Sequence, residues 1–308
     1  MNQLDAPDFS LRHTLESGQT FRWRRTADGY AGIVDGGLIE VRQDGPRLYY
    51  QSSAPERLDD AWLRRYFALD LHLPTILRDV DRDPQIHEAI RRFHGLRVIR
   101  QEPWECLVSY ILSSFNNIRR IEGMVERLAR HCGAPVRPGA QAVHAFPTAE
   151  ALAGTSVETL RGLGLGFRAA YVRDATRAVL ERRLDLAALR HVPYDEAKTA
   201  LLTLPGVGDK VADCVLLFAC GQTEAFPIDV WVERALRFHF RRQLPPRPRL
   251  HAFARRHFGR HAGYAQQSLF HHLRSKTRAP AVTAAAPSTE IVPVVPRAAL
   301  VSALAPAA

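Results

Sequence analysis

The chain has 308 residues, 46% of them hydrophobic and 24% charged, a globular composition that excludes fibrous, collagen-like and wholly disordered classes. No run approaches the roughly 18 apolar residues of a spanning helix, the start MNQLDAPDFSLRH lacks a signal-peptide pattern, and the four cysteines show no CxxC spacing, which fits a reducing intracellular compartment. The formal net charge of +10 is uneven: Arg234 to Thr289 holds 12 of the 42 Lys and Arg residues and no Asp or Glu, which points to a polyanion, nucleic acid ahead of a membrane surface.

In chain order, the first hundred residues read as small antiparallel β structure. Asp28-Gly29, Asp35-Gly36 and Asp44-Gly45 are hairpin-turn signals, with short apolar or aromatic runs around them at Phe21–Trp23, Tyr30–Val34, Leu38–Val41 and Leu48–Tyr50. From Pro55 the pattern turns helical, with Leu58, Trp62, Leu63, Tyr66 and Phe67 at helical spacing. Beyond residue 100 it is almost wholly α. Trp104, Leu107, Val108, Ile111 and Leu112 form one stripe, and Ile121, Met124, Val125 and Leu128 the next. Further helices are predicted near 149–153, 156–162, 167–181, 195–203, 209–219, 230–240, 250–257 and 263–274, punctuated by Gly and Pro. The fold class is therefore α+β, with an N-terminal sheet domain over 1–98, a helical domain over 99–278 and an Ala/Pro-rich tail over 279–308 that is expected to be disordered.

The segment Ala197–Cys220 carries the most chemistry. An apolar helix end (Ala200, Leu201, Leu204) runs into Pro205-Gly206-Val207-Gly208, then a second helix turns Val211, Cys214, Val215 and Phe218 inward. Helix, tight G-x-G turn, helix is a helix-hairpin-helix pattern. Its glycines are expected to take positive φ, and the amides opening the second helix can receive a phosphate. Only three basic residues are lysine (Lys198, Lys210 and Lys276). Lys210 lies in the first turn of the second helix, where the helix dipole and partial burial disfavour an ammonium; a neutral amine is a nucleophile, whereas an arginine is not. A phosphate-binding surface lysine is the alternative. Asp229, nineteen residues on, reads as the N-cap of the helix from Val230 and as an anion able to stabilise a developing cation.

A lysine after a glycine hairpin with an aspartate about twenty residues on resembles the helix-hairpin-helix DNA glycosylases of the endonuclease III superfamily, and within it the 8-oxoguanine DNA glycosylase/AP lyase group. The matching segments are SGQTFRW (17–23), NNIRRIEGMVERL (116–128), LRGLGLGFRAAYV (160–172), LPGVGDKVADC (204–214) and AGYAQQSLF (262–270). The resemblance implies a TATA-binding-protein-like antiparallel sheet followed by a helical region with a cleft. It also implies excision of an everted 8-oxoguanine, with Lys210 attacking the sugar C1′, Asp229 stabilising the cationic sugar, and β-elimination cutting the strand. Gly18 would accept from the lesion's N7–H, Gln266 would read its Watson–Crick edge, and Phe270 and Cys214 would sandwich it. Phe218 lines the same base site in place of a methionine. Arg120 and Arg168 match positions that contact the orphaned cytosine, and Phe167 matches a wedging tyrosine. Asn116, Asn117, Gly206, Val207, Gly208 and Trp231 complete the expected DNA contacts, Trp231 in place of a histidine. Phe115 stands where the group usually has an asparagine, which puts discrimination for cytosine in doubt.

The partner implied is double-stranded DNA carrying an oxidised purine, bound by a monomer without a membrane, and the chemistry needs no metal or organic cofactor. His257 and His261, four apart on a predicted helix, have no accompanying HExxH-type acid that would make a zinc site. Two other readings remain: a helix-hairpin-helix glycosylase for another damaged purine, which would have less use for Lys210, and a non-catalytic DNA-binding module, which would have little use for Lys210 and Asp229 together.

Overall fold

The Asp-Gly turns fold the first fifty residues into one antiparallel sheet. β1 (Asn2–Asp5), β2 (Trp23–Arg25), β3 (Tyr30–Val34), β4 (Gly37–Asp44) and β5 (Arg47–Ser52) lie in the order β1-β5-β4-β3-β2. Asp35 and Gly36 take φ of 45° and 73°, the left-handed pair whose twist matches that of the strands it joins. β1 is not signalled by periodicity: it is four residues long with only Leu4 buried, and it joins the edge by pairing with β5. This is a computed structural model, and it describes residues 1–137, 142–240, 245–246 and 249–277; the tail expected from residue 279 lies outside the described residues.

Between β1 and β2, α1 (Leu11–Glu16) is capped by Ser10, whose hydroxyl accepts from His13 N. After the sheet come α2 (Asp60–Tyr66), α3 (Leu73–Val80), α4 (Pro84–Arg92), α5 (Pro103–Leu112) and α6 (Ile118–Cys132). A two-strand hairpin, β6 (Pro135–Arg137) and β7 (Val143–His144), leads to α7 (Ala149–Ala153), α8 (Val157–Leu160), α9 (Arg168–Leu180) and α10 (Tyr194–Leu202). α11 (Asp209–Phe218), α12 (Val230–His239), α13 (Leu250–Phe258) and α14 (Ala262–Thr277) follow. The helix predicted over 156–162 is interrupted: Arg161–Leu165 forms a π-type turn because Gly164 and Gly166 take φ of 88° and 59°.

Three hydrophobic clusters hold these elements. The sheet packs on α2 through Ile39, Leu48, Leu58, Leu63 and Phe67. A central cluster joins α5, α6 and α9 to α10 and α11. A third joins Val80, Ile86 and Ile90 of α3 and α4 to Phe226, which precedes α12, and to Leu236, Phe258 and Leu269 from the C-terminal helices. Full burial of each large apolar side chain stabilises the fold by about 1.5–3 kcal/mol. A cleft opens between the central and third clusters.

Candidate active site

α10 and α11 form the hairpin. Gly206 has φ of 82°, and the Tyr171 ring occupies the space a Cβ would need, so any side chain there collides. Gly208 departs from expectation: its φ is −102°, ordinary extended backbone, with open space where a Cβ would stand. It occupies the N-cap of α11 without a capping side chain, so no side chain closes off the amides of the first turn. Val207 is buried and anchors the turn, its amide donating to the Leu204 carbonyl at 3.1 Å.

α11 has two polar faces. On one, Asp213 is fully buried and accepts from the Tyr194 hydroxyl at 2.6 Å; Lys198 Nζ lies 3.2 Å from the Asp213 carboxylate and 3.0 Å from that of Asp209, and His251 Nδ1 lies 2.8 Å from Asp213. Burial pushes the Asp209 carboxyl up, but the Lys198 bond and charge more than cancel this and hold it below its usual range. On the other face, Lys210, Cys214 and Phe218, four residues apart, line the cleft.

The cleft is a cavity of about 450 Å³. Into it α11 brings Lys210, whose Nζ donates to Ser113 Oγ at 2.7 Å and stands 5.1 Å from the Tyr110 ring centroid. Ser113 Oγ itself donates to the Tyr110 carbonyl at 2.6 Å, so its lone pairs face the amine. Unlike Lys198, Lys210 is in no ion pair with a carboxylate among the described residues. Asp229 lines the same cavity and caps α12, accepting from Val232 N at 2.7 Å. Burial pushes the Cys214 thiol up to about 12, so it is a neutral, polarisable wall. Phe218 is the floor, stacked on Tyr110 at 5.6 Å.

The opposite wall comes from the SGQTFRW segment and α14. Gly18, at φ of 84°, lies against the Arg274 guanidinium, which a Cβ would overlap. Gln19 explains why this loop has one shape. Its buried amide donates to the Thr14 and Arg97 carbonyls at 3.0 and 2.8 Å and accepts from Ile99 N at 2.9 Å, while its backbone carbonyl accepts from Gln101 and Tyr110. From α14, Gln267 Nε2 donates to the Ser17 carbonyl at 3.2 Å, and Phe270 lines the cavity. Gln266 is 5% exposed and also lines it, and its Oε1 is buried without a hydrogen-bond partner.

The rim is built differently. Asn116 and Asn117 line the cavity but also shape the start of α6: Asn117 Oδ1 accepts from Arg120 N at 3.0 Å, and Asn116 Oδ1 from Asn117 N at 3.1 Å. Arg120 is exposed outside the cavity lining, whereas its neighbour Arg119 lines it. Arg168 is buried, and its guanidinium donates to the Ser114 carbonyl, through Nε at 2.9 Å and also through Nη2, and to the Phe115 carbonyl at 3.3 Å, so it clamps the backbone of this turn. Phe167 is half exposed with the Arg168 guanidinium 4.4 Å from its ring centroid, and Trp231 lines the cavity with its ring near Arg234.

The carboxylate-free block is also corrected in part. Arg255 pairs with Asp195 at 2.9 Å and Glu224 at 2.7 Å, Arg260 with Asp79 at 3.2 Å, and Arg237 with Glu233 at 2.8 Å. Asp195, Glu224 and Asp79, distant in sequence, and Glu233, just before the block, thus neutralise some of its cations. His257 and His261 face different carboxylates, Asp83 and Asp79, and no group of metal-ligating side chains occurs among the described residues. Ser113, Tyr110, Arg119, Gln267 and Arg274 are cavity residues that the sequence reading missed. The polar run after the α5 stripe hints at a helix end, but nothing local links Ser113 to a lysine 97 residues away.

Two family models cover most of the chain: the N-terminal domain of 8-oxoguanine DNA glycosylase over residues 2–107, and the HhH-GPD superfamily of base excision DNA repair proteins over residues 108–253. The N-glycosylase/DNA lyase of Arabidopsis thaliana is 34% identical, over 87% of this chain and 78% of its own length. That of Saccharomyces cerevisiae is 30% identical, over 75% and 68%. The crystal structure of the Clostridium acetobutylicum 8-oxoguanine glycosylase/lyase, with double-stranded DNA containing cytosine opposite the lesion, is 28% identical. It superposes with a TM-score of 0.83, covering 90% of this chain and 99% of that one.

Proposed function

This chain belongs to the 8-oxoguanine DNA glycosylase/lyase family, and on that premise we propose that it excises 8-oxoguanine from duplex DNA and cuts the abasic strand, with Lys210 as the nucleophile. The observation that carries the residue assignment is the Lys210 amine: it enters a nucleotide-sized cavity, bonded to a hydroxyl and not to a carboxylate, and shares that cavity with Asp229 and Gln266.

The reaction follows from these positions. The lesion must leave the stack, because its glycosidic bond is unreachable within it. As the base departs with the bonding electron pair, positive charge develops on the sugar, and the fixed Asp229 carboxylate stabilises it. Lys210 Nζ bonds to C1′ and the sugar ring opens to a protonated Schiff base. Loss of a C2′ proton then expels the 3′ phosphate by β-elimination. Ser113 holds the amine at the start of this path.

For the base itself, the Gly18 carbonyl is the acceptor for N7–H. Guanine carries an acceptor at N7, and two acceptors face to face cost about 1–3 kcal/mol, enough for roughly tenfold to hundredfold discrimination from one atom. Gln266 supplies an acceptor for the Watson–Crick edge, and Phe270 and Cys214 supply its stacking walls. The uncapped first turn of α11, with Gly206, Val207 and Gly208, receives a backbone phosphate. A monomer acting on intracellular DNA completes the proposal.

Borohydride trapping tests it. The protein incubated with an 8-oxoguanine duplex and borohydride is expected to give a covalent adduct, while an undamaged duplex gives none. An adduct whose attachment site maps to any residue other than Lys210 would refute the assignment.

A further inference from the structure

Four-residue spacing on α14 brings a cation into the base site. Gln266, Phe270 and Arg274 fall about one turn apart on a single face of that helix, and all three line the cavity. Arg274 is half-buried, its Cζ 5.5 Å from the Phe270 ring centroid and its Nη1 in the space where a Cβ at residue 18 would stand. Glycine at position 18 thus admits the guanidinium to the residue whose carbonyl is assigned to the lesion's N7–H. Arg274 also lies in the last turn of α14, where the helix dipole favours a cation. Lys210 and Asp229 face it across the cavity, and Asp229 is the one carboxylate among the described lining residues, against Lys210, Arg119 and Arg274. The sugar side of the site therefore holds an amine and a carboxylate, and the base side a guanidinium.

We infer that Arg274 is a catalytic cation for the departing base: it donates to O8 of the everted 8-oxoguanine and stabilises the negative charge that reaches that oxygen as the glycosidic bond breaks. This rests on the glycosylase reading given above. When the C1′–N9 bond breaks, its electron pair leaves with N9. N9 is bonded to C8, so the charge spreads through C8 onto O8, as in an amidate. O8 also neighbours N7, whose hydrogen the Gly18 carbonyl accepts, so a guanidinium against Gly18 meets it. An arginine keeps its proton, and its hydrogen bond to O8 strengthens as that oxygen gains charge. The released anion takes its proton from water, and Arg274 returns unchanged. An interaction that grows along the reaction path accelerates it, whereas one equally strong in the bound lesion only tightens binding. Guanine has a hydrogen at C8 and no oxygen there, so the same contact adds to the discrimination begun at N7.

Three measurements test this on the full chain with wild type, R274Q and R274K. The first is single-turnover base release from an 8-oxoguanine duplex. The second is binding to the same duplex with a 2′-fluoro sugar at the lesion, which resists cleavage. The third is strand cutting at a preformed abasic site. R274Q is expected to slow release by about tenfold to hundredfold, the worth of a hydrogen bond to a charged group. Its binding is expected to stay within about threefold of wild type and its abasic cutting within about twofold, because neither develops charge on a base. R274K, which restores the cation, is expected to regain at least about fivefold of the lost rate. Retained abasic cutting also shows that the variants fold. R274Q release within about twofold of wild type overturns the inference. So does a parallel loss of binding or abasic cutting, which would make the side chain part of the wall, and so does R274K release as slow as that of R274Q. If wild type releases no 8-oxoguanine, the substrate reading fails and the inference falls with it; unchanged release by R274Q from a working enzyme removes the inference alone.

Discussion

Lys198 and Lys210 sit on neighbouring helices of one hairpin, yet their surroundings fit them for opposite tasks. Lys198 is wedged between Asp209 and Asp213 with the Tyr194 hydroxyl at 3.1 Å, so its ammonium is saturated and helps tie α10 to α11. Lys210 has a hydroxyl partner and an aromatic face, and beyond them an open cavity. Paired carboxylates occupy an amine's hydrogen-bonding positions, whereas a single hydroxyl positions it and leaves room for a carbon atom to approach. On the proposed assignment, the two lysines differ in what surrounds each amine and not in the amine itself.

Exchanging the two lysines is the sharpest way to break this comparison. K210Q is expected to lower borohydride adduct formation by about 10⁴-fold or more while DNA binding persists, whereas K198Q keeps the adduct and loses thermal stability. An adduct that survives K210Q and disappears in K198Q would invert the assignment. Next in size is D229N. Asparagine caps a helix about as well as aspartate, so its melting temperature should match wild type, while single-turnover release drops by about 10²–10³-fold through lost charge. A fall in melting temperature with little change in rate would reduce Asp229 to its capping role.

The saturated face is probed by D213A. Removing a fully buried carboxylate leaves Lys198, Tyr194 and His251 without their shared partner, a loss of about 3–5 kcal/mol by urea denaturation. The residual folded enzyme should still form its adduct. The smallest expected effect is that of S113A, which removes one hydrogen bond to the reacting amine, worth about 1–1.5 kcal/mol, and so slows trapping by about fivefold to tenfold with folding intact. A loss as large as that of K210Q would make Ser113 a participant in the chemistry and not a positioning residue.

Local features were legible without coordinates. The three Asp-Gly pairs predict the hairpins of β2 to β5 because turn chemistry acts over two residues, and the helix predicted at 209–219 is observed at 209–218. β1 was not legible, because a short polar edge strand carries no period of its own. The signature SGQTFRW pointed to a base site, but its most consequential member is Gln19, whose amide ties α1 to the 97–99 strand of backbone behind Gly18. Charge misled in part: the block from Arg234 looked unneutralised because Asp79, Asp195 and Glu224 lie far away in sequence.

The order of residues alone thus determined the β2 to β5 hairpins, most helices beyond residue 100, the glycine hairpin and the candidacy of Lys210 and Asp229, all of which depend on spacings of a few residues or on a short motif. Tertiary packing decided which lysine stands free of carboxylates, which hydroxyl receives it, and which arginine spends itself on the turn that presents Phe115. Those outcomes depend on side chains 54 to 97 residues apart meeting within hydrogen-bonding distance, and such meetings are products of how helices pack, which no local pattern encodes.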